Sequence, residues 1–440
     1  MNIPTTSSSL TLTPAVSNSS GLRSVPGPRA GNLRRDAGLR IRLDGKEFWL
    51  LLYGDLIPTP GDSWDARLPL TCDDILNASQ TCYRAWQKAI VELAAPVVTR
   101  HGTTENRFPF QDAWDYISRP EFKQQAGERM AVAGAKLFFQ LFEQPAQQVP
   151  ELQRIVDRLR EASRTKDPLV LTIISNEFFA PWPMLYVHPN VAEALAPDGR
   201  NFQWEGFWGY RHIVEHNPES VDVQVRLGPG NGAQLTFSAN IDKRIDAQFG
   251  CQCIQSQVSF FEQQAHLARV LRTTKSELRD AFSGTNFADH ILYFCCHSVS
   301  SVQADGRVNP WEVQIALSDA EEITVSDINF WLGKRVFLRQ PFVFINACQA
   351  GQFSTRFYGT LAAEFLRRKA VGFIAPLIDM PVVFAAEYCV RFFRRLFGGT
   401  ADQPQRIGPL VRDLAREFVN KENNPLGLVY ALYRGTDCFI

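Results

Sequence analysis

The sequence predicts an α/β protein with a mainly parallel central sheet that is covered by helices on both faces. From residue 168 onward, short, continuously apolar segments alternate with segments of helical periodicity. Strands that are buried on both faces have such continuous apolar runs, and parallel neighbours need a crossover connection, usually a helix. Two of the apolar segments, "HILYFCCHS" at 290–298 and "PFVFINACQ" at 341–349, end in polar or thiol-bearing residues. Sheets of this class bind ligands outside the carboxyl ends of their strands.

The composition excludes several functional classes. The 440 residues include 45% apolar residues, enough for a large core, and their number favours two or three domains or one large domain with an extension. Lysine plus arginine equals aspartate plus glutamate at 46 each, so no basic excess calls for a nucleic-acid partner. We find neither an apolar run of transmembrane length nor the pattern of a secretory signal. The sequence therefore predicts a cytoplasmic protein without a membrane span or a cofactor.

The nine cysteines are scattered along the chain and odd in number, which is typical of reduced thiols rather than of a disulfide framework. A zinc site could combine Cys251 and Cys253 with Cys295, Cys296 and His297. The spacing of these residues matches none of the usual zinc-ligand patterns, so no metal site is predicted.

The chain before residue 168 is expected to contain a tail and a smaller region. Residues 1–39 are rich in Ser, Thr, Pro, Gly and Arg and predict a disordered tail. Residues 40–167 are expected to form a hairpin and helical region that packs on the rest of the chain. Asp44-Gly45, between two apolar runs, indicates a tight hairpin, and helices are predicted over 74–96 and 121–143.

The remaining segments, in chain order, complete the predicted sheet and its covering helices. Thr274 followed by Glu277 is a capping box that begins a helix, and Gly398-Gly399 is a helix stop. The predicted elements are a strand at 169–175, a hairpin of 221–227 with 234–238, helices at 257–271 and from 274, strands at 290–296 and 341–348, a helix at 355–369, a strand at 372–378, and helices at 382–397 and near 409–419.

His297 and Cys348 form the candidate chemical pair. A cysteine attacks as the thiolate, and with an ordinary pKa of about 8.5 it needs a neighbouring base at neutral pH. The carboxyl ends of adjacent parallel strands would bring these two residues together although 51 positions separate them. The alternative is that Cys348 belongs to the core, since cysteine is among the most buried residue types. Cys295 and Cys296 are assigned to the core.

The segments "ILYFCCHS" and "VFINACQAG" resemble the histidine and cysteine motifs of CHAT-domain proteases, which are caspase-like cysteine peptidases related to caspases, separase and gingipains. "SNEFFAPWPMLY" at 175–186 and "NPLGLVYALYRG" at 424–435 are also similar to segments of that family. The resemblance covers about 168–440. Two positions depart from the family pattern: Pro183 replaces a glutamate, and Ser298 replaces a glycine.

The resemblance implies a caspase-like α/β/α sandwich over 168–440 that acts as a cysteine endopeptidase on a partner protein. In bacteria such proteins often serve regulated immunity or stress signalling, which implies an activating protein partner or an assembly. By the same resemblance, His297 is the general base, Cys348 the nucleophile, and the N–H groups of Ser298 and Cys348 the oxyanion hole. A catalytically idle scaffold that binds proteins is the alternative function. A glutamine-amidotransferase-like enzyme is disfavoured because no glycine stands two residues from Cys348.

Two aspartates are candidates for substrate binding. In caspase-like enzymes, the chain that follows the strand after the cysteine helix lines the pocket for the P1 residue. Here that chain is "APLIDMP", and its only charged residue is Asp379. A carboxylate there would favour a basic P1 side chain. Alternatively, Asp379 is a solvated residue that begins the next helix. Asp305, eight residues after His297, is the second candidate.

Overall fold

The structure, a computed structural model, describes residues 33–59, 61–98, 104–218, 224–229, 234–285, 287–302, 308–348, 355–400 and 403–440. In this part of the chain, thirteen strands form one sheet, and β4 and β5 pair separately. The strands are β1 (Ala37–Asp44), β2 (Glu47–Gly54), β3 (Ser63–Leu68), β4 (Ala95–Val98), β5 (Thr104–Arg107), β6 (Val170–Ile174), β7 (Ile213–Asn217), β8 (Leu235–Ile241), β9 (Leu267–Arg272), β10 (Ile291–Val302), β11 (Val308–Ala316), β12 (Glu322–Ile323), β13 (Phe342–Cys348), β14 (Gly372–Pro376) and β15 (Tyr430–Tyr433).

The large sheet has the order β12-β11-β10-β13-β14-β15-β7-β6-β1-β2-β3, with β8 paired to β10 and β9 paired to β8. Its centre is mainly parallel: β8 runs parallel to β9 and β10, β13 to β10 and β14, and β6 to β1 and β7. Antiparallel pairs occur at both outer ends and between β14 and β15. The predicted α/β class with a mainly parallel central sheet is therefore confirmed.

Helices connect the strands and cover the sheet. The predicted capping box is confirmed, since Thr274 accepts a hydrogen bond from the Glu277 N–H and Glu277 accepts one in return. None of the helices in the described ranges combines the length and the apolar character needed to cross a membrane. The helices are α1 (Cys72–Ala89), α2 (Pro109–Asp112), α3 (Pro120–Phe138), α4 (Gln144–Ala146), α5 (Pro150–Ala162), α6 (Trp208–Arg211), α7 (Arg244–Phe249), α8 (Cys253–Glu262), α9 (Lys275–Ser283), α10 (Val325–Leu332), α11 (Thr355–Arg367), α12 (Val382–Phe397) and α13 (Ile407–Lys421).

Two consecutive residues of β10 show that the sheet is covered on both faces. The ring of Tyr293 packs against Phe261 of α8 and Phe393 of α12, with centroids 5.7 Å away in both cases. The ring of Phe294 lies 6.5 Å from Phe365 of α11. Because successive side chains of a strand point to opposite faces, α8 and α12 cover one face and α11 the other.

The predicted boundary of the N-terminal tail at residue 39 is wrong. Strand β1 begins at Ala37 and pairs in parallel with β6, so it is part of the large sheet. Before it, the guanidinium of Arg35 lies 2.9 Å from Glu215 and 2.7 Å from Asp437. These ionic partners are remote in sequence, and composition does not reveal them. The rest of the predicted tail, 1–32, lies outside the described residues.

The hairpin at Asp44-Gly45 is confirmed: Asp44 pairs with Glu47, and Gly45 has φ 64°, which a glycine adopts without strain. Because β1 pairs with β6, the strands β1, β2 and β3 extend the large sheet.

Several local predictions failed where tertiary pairing overrode the local pattern. The predicted hairpin of 221–227 with 234–238 is wrong, because β8 pairs in parallel with β9 and β10; residues 221–223 and 230–233 lie outside the described part. The helix predicted over 257–271 ends at Glu262 and is followed by β9. The helix predicted to reach residue 96 ends at Ala89, and the segment 139–143 continues α3 as a π-helix.

Candidate active site

His297 and Cys348 lie side by side on two neighbouring strands of the parallel part of the sheet. Strands β10 and β13 pair in parallel register, and the last described pair of that ladder joins His297 to Cys348. Neighbouring strands are about 4.8 Å apart, so the backbones of these residues are direct neighbours. The prediction that the fold brings the two positions together is confirmed for the backbone; the side chain of Cys348 lies outside the described atoms.

Strand β10 continues beyond His297, which differs from the prediction that the strand ends there. On one side of β10, β8 pairs only as far as Cys295. From His297 onward that side is taken by β11, which runs antiparallel and pairs Ala316 with His297. His297 is thus at a junction, where one parallel neighbour has ended and an antiparallel neighbour begins. The long polar stretch after residue 297 obscured this hairpin in the sequence.

His297 is 7% exposed and lies beside a carboxylate that was not among the predicted site residues. Oδ2 of Asp242 is 3.8 Å from Nε2 of His297. Asp242 directly follows β8, and its N–H donates a hydrogen bond of 2.8 Å to the carbonyl of Cys295. The signal was present, because "LTFSANID" at 235–242 is a third apolar segment that ends in a polar residue.

Arg244 holds the Asp242 carboxylate in position. Its Nε donates to Oδ1 at 2.9 Å and its Nη2 to Oδ2 at 2.6 Å. The same Nη2 donates to the Leu317 carbonyl, and the hydrogen bond to Asp242 is the main cause of a raised Arg244 pKa. Asp242 is fully buried. At 3.8 Å the contact with His297 exceeds hydrogen-bond length, so the carboxylate acts on the imidazole mainly through its charge.

The residues around this pair confirm the assignment of the neighbouring cysteines to the core. Cys295 and Cys296 are both fully buried, and burial raises the pKa of the Cys296 thiol well above its usual value. A buried thiol of this kind is a poor nucleophile. On β13, buried Asn346 donates from Nδ2 to the Ala385 carbonyl at 2.6 Å and accepts from the Tyr430 hydroxyl at 2.8 Å. These bonds anchor the end of β13 that carries Cys348.

The three other predicted site residues are Ser298, Asp305 and Asp379. The backbone of Ser298 lies within β10, where its pairing partner is Ile315 of β11. Asp305 lies outside the described residues. Asp379 lies three residues beyond the end of β14, the parallel neighbour of β13.

Asp379 does not cap the next helix. The N-cap of α12 is Pro381, and no side chain forms a capping hydrogen bond there, so the interpretation of Asp379 as a helix cap is wrong. Its N–H donates to Oε1 of Gln87 in α1 at 3.1 Å. Burial, with a smaller contribution from Glu92, raises the pKa of its carboxyl to about 7. Within the described part of the chain, its Oδ1 has no hydrogen-bond partner.

Comparisons with known proteins give a distant similarity. No protein family and no curated protein matches the sequence. Among solved structures, the chain is similar to two crystal structures of the Saccharomyces cerevisiae separase–securin complex, with TM-scores of 0.39 and 0.44 and identities of 9% and 10%. The aligned region covers 90% of this chain but 30% of the separase chain, so this chain spans less than a third of that protein's length.

Proposed function

We propose that the chain is a cysteine endopeptidase in which His297 and Cys348 form the catalytic pair. The observation that carries the proposal is the register of β10 and β13, which makes these two residues direct neighbours just beyond the point where β8, the other parallel partner of β10, has ended. The motif resemblance supports the same pair. The buried Asp242 carboxylate beside His297 adds a third group, whose negative charge favours the protonated imidazole.

The proposed reaction follows from these positions. His297 accepts the thiol proton of Cys348, and the sulfur attacks the scissile carbonyl carbon. The N–H groups of Ser298 and Cys348 stabilise the resulting oxyanion. The imidazolium then protonates the leaving amine, the C–N bond breaks, and a thioester remains. Water activated by His297 hydrolyses the thioester and restores the thiol. While His297 carries the proton, the negative charge of Asp242 stabilises it.

The proposed substrate is a protein with a basic P1 residue. Asp379 is on the chain that follows β14, and its carboxyl is partly buried with an oxygen that no described residue satisfies. An arginine or lysine side chain would supply the missing donor and the opposite charge. We further propose that the protein cleaves its partner after a signal, as in bacterial immunity or stress signalling. A bound protein or assembly would activate it.

The test has two parts. A thiol-directed activity probe should label wild type but neither Cys348→Ala nor His297→Ala, since the probe reports an activated thiolate. Co-expression with the proteins of neighbouring genes should then yield a cleaved product that requires Cys348. Retention of full cleavage by Cys348→Ala would end the proposal. Binding of a partner without labelling or cleavage, at any partner concentration, would instead favour the idle scaffold.

A further inference from the structure

A second group of chemically active side chains lies outside the candidate catalytic pair. The carboxylate of Asp246, at the middle of α7, and the thiols of Cys251 and Cys253 have their ligand atoms within 4.8 Å of one another. Sγ of Cys251 donates to Oδ1 of Asp246 at 3.4 Å. Asp246 and both cysteines are half-buried as whole residues. It differs from the zinc combination considered for the sequence, because the alternation of β10 directs Cys295 and Cys296 to opposite faces.

The backbone holds this group in one arrangement. The N–H of Cys251 donates to the Asp246 carbonyl at 3.1 Å, which closes the turn between α7 and α8. The first N–H groups of α8 orient the carboxylate: that of Ile254 donates to Oδ1 at 2.8 Å and that of Gln255 to Oδ2 at 2.9 Å. A carboxylate oxygen has two lone-pair sites, so Asp246 keeps capacity for a further partner. Such outer hydrogen bonds are what fix the ligands of protein metal sites.

The donor set matches one class of cation. Two thiolates and a carboxylate suit Zn²⁺, which is four-coordinate and binds sulfur at about 2.3 Å and oxygen at about 2.0–2.2 Å. In a tetrahedron with those bond lengths the ligand atoms are about 3.5–3.8 Å apart. The 3.4 Å between Cys251 and Asp246 is close to that separation, and the other two pairs of ligand atoms are within 4.8 Å.

We propose that Asp246, Cys251 and Cys253 form a zinc site whose fourth position is open to water or an external ligand. Binding replaces the two thiol protons by the metal ion, and the protons leave to solvent, so the formal charge of the occupied site is one negative unit beside the N-terminus of α8. Because the two thiol protons are released, zinc binding should strengthen as the pH rises.

The site has a direct structural link to His297. Phe249 ends α7, two residues before Cys251, and its ring centroid is 6.1 Å from that of His297. Gly250, which has φ 61°, forms the turn between them. Zinc would therefore fix the turn that places an aromatic ring against the candidate general base. The site itself does not depend on the proposed peptidase function.

The experiment measures metal binding by the reduced, chelator-treated full chain. Zn²⁺ is titrated in competition with a chromophoric chelator, and Co²⁺ is added separately, because a thiolate-to-cobalt charge-transfer band reports sulfur ligation. We expect one ion per chain and a charge-transfer band for wild type. Cys251→Ser and Cys253→Ser should each lose at least the ~10–100-fold in affinity that removal of an outer-shell partner costs. Circular dichroism melting checks that both variants fold.

Two controls make the result specific. Cys72 is also half-buried and also the first residue of a helix, as Cys253 is, so Cys72→Ser should bind like wild type. Cys348→Ala should bind like wild type as well. The proposal is overturned if wild type binds no zinc, if Cys251→Ser and Cys253→Ser bind it unchanged, or if Cys348→Ala abolishes binding, since the metal would then be held at the catalytic pair.

Discussion

Oδ2 of Asp242 lies 3.8 Å from Nε2 of His297, and the two residues are carried by neighbouring parallel strands. The aspartate is the residue after β8, whereas the histidine is within β10. The carboxylate also binds Arg244, so its charge is shared between a permanent cation and an imidazole that gains a proton only during the reaction. This arrangement makes Asp242 a positioning residue whose contribution should appear in the rate of the chemical step.

Asp242→Asn is expected to lower kcat by roughly 10-fold or more with little change in KM, because the charge that stabilises the protonated imidazole is lost while the shape is kept. The measurement is steady-state cleavage of a peptide by both forms. Arg244→Gln is the matched variant, since it removes the other partner of the carboxylate and keeps the Asp242 charge beside His297. An unchanged kcat in Asp242→Asn, with normal folding, would mean that Asp242 serves only its ion pair with Arg244.

The cysteines at positions 348 and 296 should respond differently to truncation. Cys348→Ala is expected to abolish cleavage and leave the free energy of unfolding nearly unchanged. Cys296→Ala removes a fully buried side chain and should cost about 1–3 kcal/mol of stability while retaining activity. Denaturant unfolding and peptide cleavage measured on the same preparations distinguish the two. A stable, inactive Cys296→Ala would contradict the assignment of the nucleophile.

Asp379 should determine P1 preference in a pH-dependent way. Its carboxyl pKa is raised to about 7, so below neutral pH the carboxyl is largely protonated and lacks the charge that attracts a basic side chain. In a peptide library, the preference for Arg or Lys at P1 is expected to increase as the pH rises through 7 and to disappear in Asp379→Ala. Glu92→Gln is a control that keeps the carboxyl. A preference of wild type for an apolar or acidic P1 would show that this carboxyl is not in the pocket.

The same raised pKa has a consequence for stability. Between about pH 4 and 7, the Asp379 carboxyl is protonated in the folded protein but ionised in the unfolded chain. Its contribution to the free energy of unfolding is therefore fully present below about pH 4 and is lost as the pH rises towards 7. Asp379→Asn should therefore become more stable relative to wild type between pH 4 and 7, as judged by Tm at each pH.

Truncation should locate the start of the folded chain between residues 33 and 39. A chain that begins at residue 33 is expected to keep the wild-type Tm within about a degree or two, because the sequence before it has no core-forming pattern. Removal through residue 39 eliminates Arg35 and the first residues of β1, and leaves buried Glu215 without its cation. Such a loss costs on the order of 3 kcal/mol. Arg35→Met isolates the ionic part, and equal stability of all these forms would contradict the docking of residues 33–39.

The active enzyme is expected to be one uncleaved chain. Caspases are often matured by a cut after the cysteine segment, but here α11 occupies Thr355–Arg367 and the following residues are tied into the fold. Val371 N–H donates to the Pro341 carbonyl, and the side chain of Arg368 bonds Glu364 at 2.6 Å. N-terminal sequencing of active protein should find no new terminus within 349–371. An obligatory cut there would refute activation by a partner or by assembly alone.

The sequence by itself determined the features that depend on local pattern. Continuous apolar runs between helical segments were enough for the α/β class, and the Thr274 capping box identified the start of α9. The pairing of His297 with Cys348 was also predictable, because the carboxyl-side residues of adjacent parallel apolar segments lie at the same edge of a sheet.

Only the tertiary structure decided which remote groups meet these elements. Asp242 becomes relevant because β8 is the neighbour of β10, and the contact of Arg35 with Glu215 requires β1 to join the large sheet. The pKa of Asp379 depends on its burial and on Glu92, and its N–H bonds Gln87 of α1; both partners are far away in sequence. The periodicity of apolar residues indicates whether a segment is buried, but it does not identify the strand or helix against which the segment packs. Packing across the whole chain sets which strands are neighbours and which groups are removed from water. It therefore decides which charged groups surround the candidate site and how their pKa values shift.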